Sequence, residues 1–174
     1  MIESKYLKDD MHNIQQLLSV PSLKNFEIES LGKMLRLSKM RQYEDGEPII
    51  KEGDMDLWLY VLLSGKVRVK KDGINICTLS RSGEIFGEMR ILDKLSRSAS
   101  VYAEGKTICL AVNIGATDKF SSDDEAASFL LLLYKVFAEY MSVRLRLLNE
   151  ELVNIKKQFE MLQKRTDEKN RQTK

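Results

Sequence analysis

Trp58-Leu59-Tyr60-Val61-Leu62-Leu63-Ser64-Gly65-Lys66-Val67-Arg68-Val69-Lys70-Lys71-Asp72-Gly73-Ile74-Asn75-Ile76 is the stretch that decides the fold class. Residues 58–63 form a continuous apolar run, closed on one side by Asp54 and Asp56 and on the other by Ser64-Gly65, as a buried strand requires. Val67 and Val69 then alternate with charged residues, so one strand face meets a core and the other meets water. Asp72-Gly73 supplies two adjacent positions that tolerate positive φ, which a tight type I′ turn needs. Ile74 and Ile76 resume the alternation on a return strand, completing the strongest hairpin signal in the chain.

Outward from this hairpin the punctuation continues. Seven of the nine glycines fall within residues 46–105. Residues 98–103 and 107–112 read as a second hairpin around Glu104-Gly105. Many short strands separated by glycine turns predict a sandwich or barrel. Before it, residues 1–38 read as short helices: Ile14, Leu17 and Leu18 share a face, Pro21 interrupts, and Ile28, Leu31 and Leu35 resume after Phe26. After Gly115 there is neither Gly nor Pro, and residues 122–168 read as one long helix opened by the capping box Ser122-Asp123-Asp124-Glu125.

That helix carries a seven-residue repeat. One seam position holds Leu131, Ala138, Leu145, Leu152 and Phe159, and the other holds Tyr134, Met141, Leu148, Ile155 and Leu162. Five heptads at this spacing specify a coiled coil, and Glu151 with Lys156 suits an attractive contact between parallel strands. The expectation is a parallel homodimer. The three regions are residues 1–39 (N-terminal helical segment), 40–120 (β domain) and 121–174 (dimerisation helix with a basic tail).

Composition narrows the chemistry. The chain of 174 residues has a net charge of +2, so it offers no broad basic field for nucleic acid. Residues 156–174 carry +4 and the remainder −2, which reads as a solvated helix end. Cys77 and Cys109 lie in apolar surroundings and are expected as reduced thiols. Residues 129–133 are the most apolar stretch, five long where a membrane span takes about twenty. No signal-type segment opens the chain, and a cytoplasmic, membrane-free protein is expected. The single histidine, His12, leaves imidazole metal sites and Ser/His/Asp or Cys/His catalysis without their parts, so no enzyme, no metal site and no cofactor are expected.

The chemically informative segment is Phe86-Gly87-Glu88-Met89-Arg90-Ile91-Leu92, followed by Ser96-Arg97-Ser98-Ala99-Ser100-Val101. Gly87 permits close backbone approach, and the N–H groups of Glu88, Met89 and Arg90 open a short helical turn able to cradle an anion. Arg97 is placed to complete a phosphate site with a planar, charge-assisted contact. Spacing alone supports equally an internal Glu88–Arg97 ion pair joining loop to strand.

Residues 40–113 resemble the cyclic nucleotide-binding domain family, which includes catabolite-activator-type regulators, regulatory subunits of cyclic-AMP-dependent kinase and gated channels. The similar residues are Gly46-Glu47-Pro48-Ile49, Glu52-Gly53-Asp54, Tyr60-Val61-Leu62-Leu63-Ser64-Gly65-Lys66-Val67, Gly83-Glu84-Ile85-Phe86-Gly87-Glu88 and Arg97-Ser98-Ala99-Ser100-Val101. The resemblance implies a mainly β protein, an antiparallel jelly-roll-like β-roll whose phosphate-binding cassette runs from Phe86 to Val101. It implies that Glu88 holds the ribose hydroxyl of cyclic AMP or a relative and Arg97 the cyclic phosphate. The N–H groups after Gly87 (Glu88, Met89, Arg90) and Ser98 add contacts, and Leu148 and Asn149 cover the base.

Two departures stand out. The cassette usually has a small residue where this chain has Arg90, whose side chain either points outward or folds in to pair with Glu88. The regulators most like this chain continue into a winged helix-turn-helix, which is missing here, so no direct DNA binding is expected. The leading expectation is a sensor that passes ligand occupancy to the dimer helix and on to a downstream protein. The alternative is a structural dimerisation module whose β-roll no longer binds nucleotide.

Overall fold

The computed structural model describes residues 1–7, 15, 17–19, 23, 27–116, 120 and 122–172. His12, Ile14, Pro21 and Phe26 of the expected N-terminal helices lie outside the described residues. In chain order the elements are β1 (Ile2–Tyr6), α1 (Ile28–Arg36), β2 (Ser38–Tyr43), β3 (Pro48–Ile50), β4 (Trp58–Lys71) and β5 (Ile74–Leu79). They continue with β6 (Ile85–Phe86), α2 (Met89–Asp93), β7 (Ser100–Asn113) and α3 (Asp123–Gln172).

The seven strands form one open antiparallel sheet in the order β1-β2-β7-β4-β5, with β3 paired to β7 and β6 to β4. This is the expected β-roll. Its spine is the pair of fourteen-residue strands β4 and β7. Along β4, Tyr60 and Leu62 face one core and Leu59 and Val61 the other, all 3% exposed or less. Burial on both faces is why residues 58–63 read as unbroken apolar sequence. Tyr60 and Leu62 join Tyr43, Ile50, Phe86 and Cys109 in the core of the roll. For the opposite face, buried Leu31, Met34 and Leu35 of α1 and Phe129 and Leu133 of α3 are the apolar residues available.

Three sequence expectations are corrected. Residues 2–6 are not helical but form the edge strand β1, held to β2 by its ladder and by Glu3, which accepts from Lys39 and Arg41 at 2.6 Å each. Residues 98–103 and 107–112 are not a hairpin: 100–113 form the single strand β7. The Asp72-Gly73 turn has positive φ at both residues (50° and 79°), whereas at Glu104-Gly105 only the glycine does, which bends a strand without reversing it. Opposite that bend the register of β4 shifts around Gly65, where a Cβ would stand 2.5 Å from the Lys106 carbonyl oxygen. Finally, Ile74 and Ile76 are exposed, at 71% and 57%. A register shift between Val69 and Lys70 breaks the inward alternation on the return strand.

The first turn of α3 is capped as expected. The Ser122 hydroxyl accepts from the Glu125 N–H at 3.2 Å, but the Glu125 carboxylate turns to Arg36 of α1 at 2.8 Å. The chain divides into two compact units, Met1–Tyr134 and Lys135–Lys174. In the second, the heptad residues Met141, Leu145, Leu148, Leu152, Ile155, Phe159 and Leu162 are all exposed, from 36% to 60%. The stretch Asp124–Gln163 is long and apolar enough to cross a membrane by length and composition alone. Its longest uncharged run is the nine residues 126–134, and Phe129 and Leu133 within that run are already buried.

A candidate phosphate-binding cassette

The site is assembled by β6, α2 and the entrance to β7. Gly87 leaves β6 with φ +83°, and a Cβ there would lie 2.7 Å from Arg97 Nη1 and 3.2 Å from the Trp58 carbonyl oxygen. Only glycine lets the backbone pass this close to the guanidinium. Glu88 follows as the N-cap of α2, buried at 5% exposure, its carbonyl accepting from the Ile91 and Leu92 N–H groups at 3.0 and 3.1 Å. Met89 and Arg90 form the first turn. Met89 is exposed, and the Ser98 hydroxyl lies 3.4 Å from its sulfur.

Arg97 is 3% exposed, and its backbone is tied on both sides to the loop before β4: its N–H donates to Asp54 O at 2.8 Å, and Gly53 N–H donates to its carbonyl at 2.9 Å. The Glu52-Gly53-Asp54 motif is thus the clamp that seats the cassette arginine. The guanidinium is held in turn. Nε and Nη2 donate to the Asp56 carboxylate at 3.3 and 2.6 Å, Nη2 also donates to Trp58 O, and Nη1 donates to Gly87 O at 2.6 Å. Four of its five N–H donors are therefore used by the protein. Burial pushes the Asp56 carboxyl up, but hydrogen bonds from Arg97 and the Trp58 N–H outweigh it and hold the group below its ordinary range.

The carboxylate that pairs with Arg97 in the structure is Asp56, which the spacing argument did not name. Nor does Arg90 fold in to pair with Glu88: it is half-buried and forms no ion pair or hydrogen bond among the described residues. Gly87, Glu88, Met89, Arg90, Arg97 and Ser98 are thus brought together. Leu148 and Asn149 lie in the second unit, on α3, both exposed.

Asp56 was not anticipated as a site residue. The signal was present: a carboxylate two residues before a doubly buried strand needs a partner to remain charged there. Beside it, Arg41 stacks on the Trp58 ring at 3.9 Å and donates to the Tyr60 hydroxyl at 2.8 Å. Tyr60 stacks on Phe86 with centroids 5.2 Å apart, so the residue leading into the cassette rests on this aromatic shelf. Cys109 is buried, its thiol pushed up to about 12 by burial, and is a packing residue. Among the described residues no cluster of His, Cys, Asp and Glu is suited to a metal ion.

A family model for the cyclic nucleotide-binding domain matches residues 40–124, the roll, the cassette and the start of α3. Those residues belong to the cyclic nucleotide-binding domain family. The cyclic-AMP-dependent protein kinase type II regulatory subunit of Drosophila melanogaster is 36% identical over 118 residues, 64% of this chain and 30% of that protein. The cyclic-GMP-dependent protein kinase of Toxoplasma gondii is 40% identical over 80 residues, 46% of this chain and 8% of that one. The chain therefore spans less than a third of these curated relatives. The crystal structure of the Thermus thermophilus catabolite activator protein is similar at 31% identity and a TM-score of 0.56, covering 76% of this chain and 61% of its own. The family supports a regulatory, nucleotide-binding role for residues 40–124.

Proposed function

We propose that this chain is a non-enzymatic, cytoplasmic sensor that binds cyclic AMP or a close relative in the cassette and passes occupancy to a dimer of its α3 helices. The observation that carries the reading is the burial of two oppositely charged residues, Glu88 and Arg97, on either side of α2, each at 5% exposure or less. Burying a carboxylate and a guanidinium is costly, and a ligand with a hydroxyl and a phosphate uses both. Glu88 takes the ribose hydroxyl, Arg97 the phosphate, and Ser98 and the α2 backbone add hydrogen bonds. Leu148 and Asn149 then cover the base, which gives the ligand different contacts in two arrangements of α3 and lets it bias their equilibrium.

Calorimetric titration with cyclic AMP, cyclic GMP and adenosine 5′-monophosphate tests this. Saturable one-site binding of a cyclic nucleotide is expected, and silence toward both cyclic nucleotides rejects it. One observation favours the second reading, a dimerisation module that keeps the roll without the ligand: four of the five Arg97 donors are already satisfied internally. In that case cyclic nucleotides leave the melting temperature unchanged while the dimer persists.

A further inference from the structure

Arg41 reaches further than a strand fastener needs to. Its side chain is only 11% exposed, and Nε donates to Glu3 on β1 at 2.6 Å. The guanidinium lies on the Trp58 ring, 3.9 Å from its centroid, and Nη1 donates to the Tyr60 hydroxyl at 2.8 Å. β7 lies between β2 and β4, so this reach crosses a whole strand. Opposite Arg41 and Tyr60 on that strand stand Cys109 and Ala111, both small and fully buried, which leaves the guanidinium and the rings room to meet.

Holding β1 does not explain the reach. Lys39, on the same strand as Arg41, already donates to Glu3 at 2.6 Å. What the reach joins is the two segments that seat Arg97. All four Arg97 hydrogen bonds end on Asp56, Trp58 and Gly87. Trp58 supplies one acceptor through its carbonyl, and its N–H donates at 3.0 Å to Asp56, whose carboxylate supplies two more. Gly87 supplies the fourth and follows Phe86, the ring stacked on Tyr60. Arg41 therefore bears on the first segment through the Trp58 ring and on the second through the Tyr60 hydroxyl. That hydroxyl stands in the field of both arginines: burial raises it, and Arg41 and Arg97 each act to lower it.

We infer that Arg41 is a positioning residue for the cassette, holding Trp58 and Tyr60 and, through them, the acceptors that keep the Arg97 guanidinium in place for the phosphate. The inference rests on the nucleotide-binding reading above and deepens it, adding a residue that acts without touching the ligand. A guanidinium suits this duty, since its plane can lie on an indole while its N–H edge bonds a carboxylate and a phenol. A binding constellation is held to its working geometry by such a supporting layer of packing and hydrogen bonds. Glu3 fixes Arg41 from outside, which ties β1 to a site it does not line.

The test is titration of the full chain, R41Q, R41M, D56N and the R41Q/D56N double variant with cyclic AMP and cyclic GMP. Titrations run at about 50 and 300 mM salt, below the onset of each ligand-free melting curve. Expected for R41Q is an affinity loss of about fivefold or more with the parent's salt dependence, because a residue that meets no phosphate leaves the screened contact unchanged. D56N should also weaken binding, and the double variant should lose less than the product of the two single losses, since both act through Arg97. An R41Q affinity within about twofold of the parent overturns the inference while leaving nucleotide binding intact. A loss with a shallower salt dependence overturns it as well, because Arg41 then meets the phosphate itself. So do losses that multiply fully, or a D56N without effect on affinity, because Arg41 then does not act through the seat of Arg97. If the parent binds neither nucleotide, the nucleotide reading fails and this inference with it. Should R41Q not fold, R41M is read against the same criteria, alone and combined with D56N.

Discussion

The β-roll and the distal half of α3 differ in what they leave unsatisfied. In the roll, a buried guanidinium has been given a carboxylate and two carbonyls, and nearly every large apolar residue of β4 and β7 is covered. In the second unit the pattern is reversed: polar groups are solvated, while Leu145, Leu152, Ile155, Phe159 and Leu162 stand about half exposed or more in a regular seam. Scattered surface leucines are unremarkable, but an unbroken heptad stripe of them is not. The roll covers its own apolar faces, and the distal helix leaves a regular apolar seam exposed. On the function proposed above the two regions have separable duties, ligand capture and assembly, and the predictions below attack each in turn.

The largest effect is expected at the seam. Replacing Leu152 and Ile155 together with glutamate places uncompensated carboxylates in an apolar interface, at about 3–5 kcal/mol each. Sedimentation should then show monomers where the parent chain sediments as a dimer at micromolar concentration, with the melting of the roll unchanged. A parent chain that is itself monomeric breaks the comparison, because the seam then lies open without a partner.

Within the roll, Arg97→Ala should weaken cyclic-nucleotide binding by about 2–5 kcal/mol, the cost of facing a phosphate without its counter-charge. Since Arg97 also bonds Asp56, Trp58 and Gly87, the melting curve of the ligand-free variant is needed beside the titration. Two glycines sharpen the point. Gly65→Ala puts a Cβ 2.5 Å from a backbone oxygen at φ +88°, and should cost about 3 kcal/mol of stability with affinity intact in whatever remains folded. Gly87→Ala, at φ +83°, instead puts a Cβ 2.7 Å from Arg97 Nη1 and must displace the guanidinium from its hydrogen bonds, so binding should suffer beyond what the loss of stability explains. Equal effects of the two on stability would show that the Gly87 contact serves packing alone.

Much of this arrangement is legible in the sequence, and the omissions have physical causes. Residues 58–63, Asp72-Gly73 and the glycine spacing announce the roll because burial and turn geometry act locally. Gly87, Glu88 and Arg97 were legible because one short segment carries them. Asp56 was not, because its role depends on a partner 41 residues away across the sheet. The strand at residues 2–6 was missed for a similar reason: its partner β2 is distant, and helix and strand patterns are hard to separate over five residues. Glu104-Gly105 resembled a hairpin turn, yet a lone positive φ makes a bend, and that choice is fixed by the partner strand β4 rather than by the dipeptide.

Asp56→Asn removes the charge from the Arg97 pair and keeps the shape. Because the Asp56 side chain is more than a third exposed, solvent screening lowers the expected cost from that of a fully buried pair to about 1–3 kcal/mol. The pH dependence has a definite sign. The folded carboxyl lies below its ordinary value of 3.8, so its contribution is fully present above that value and is lost as pH falls through the folded pKa. Urea unfolding should show a constant gap between parent and variant from neutral pH down to about pH 5, closing as acid is added below that. A gap that persists unchanged to pH 2 would mean that Asp56 acts through shape rather than charge.

The smallest effect is expected where the two regions are joined in sequence, at the first turn of α3. Arg36 and Glu125 meet at 2.8 Å, with side chains 36% and 17% exposed. A pair this open to solvent contributes about 0–1 kcal/mol, and a double-mutant cycle of Arg36→Ala and Glu125→Ala should return a coupling in that range. The same Glu125 N–H is capped by Ser122, so Ser122→Ala should cost about 1 kcal/mol on its own. Both changes affect the root of the helix without touching the seam or the cassette, so dimerisation and ligand affinity, read separately, should each stay put. A coupling well above 1 kcal/mol, accompanied by a change in nucleotide affinity, would show that the helix root communicates with the cassette, and that capture and assembly are less separable than their contrast in exposure indicates.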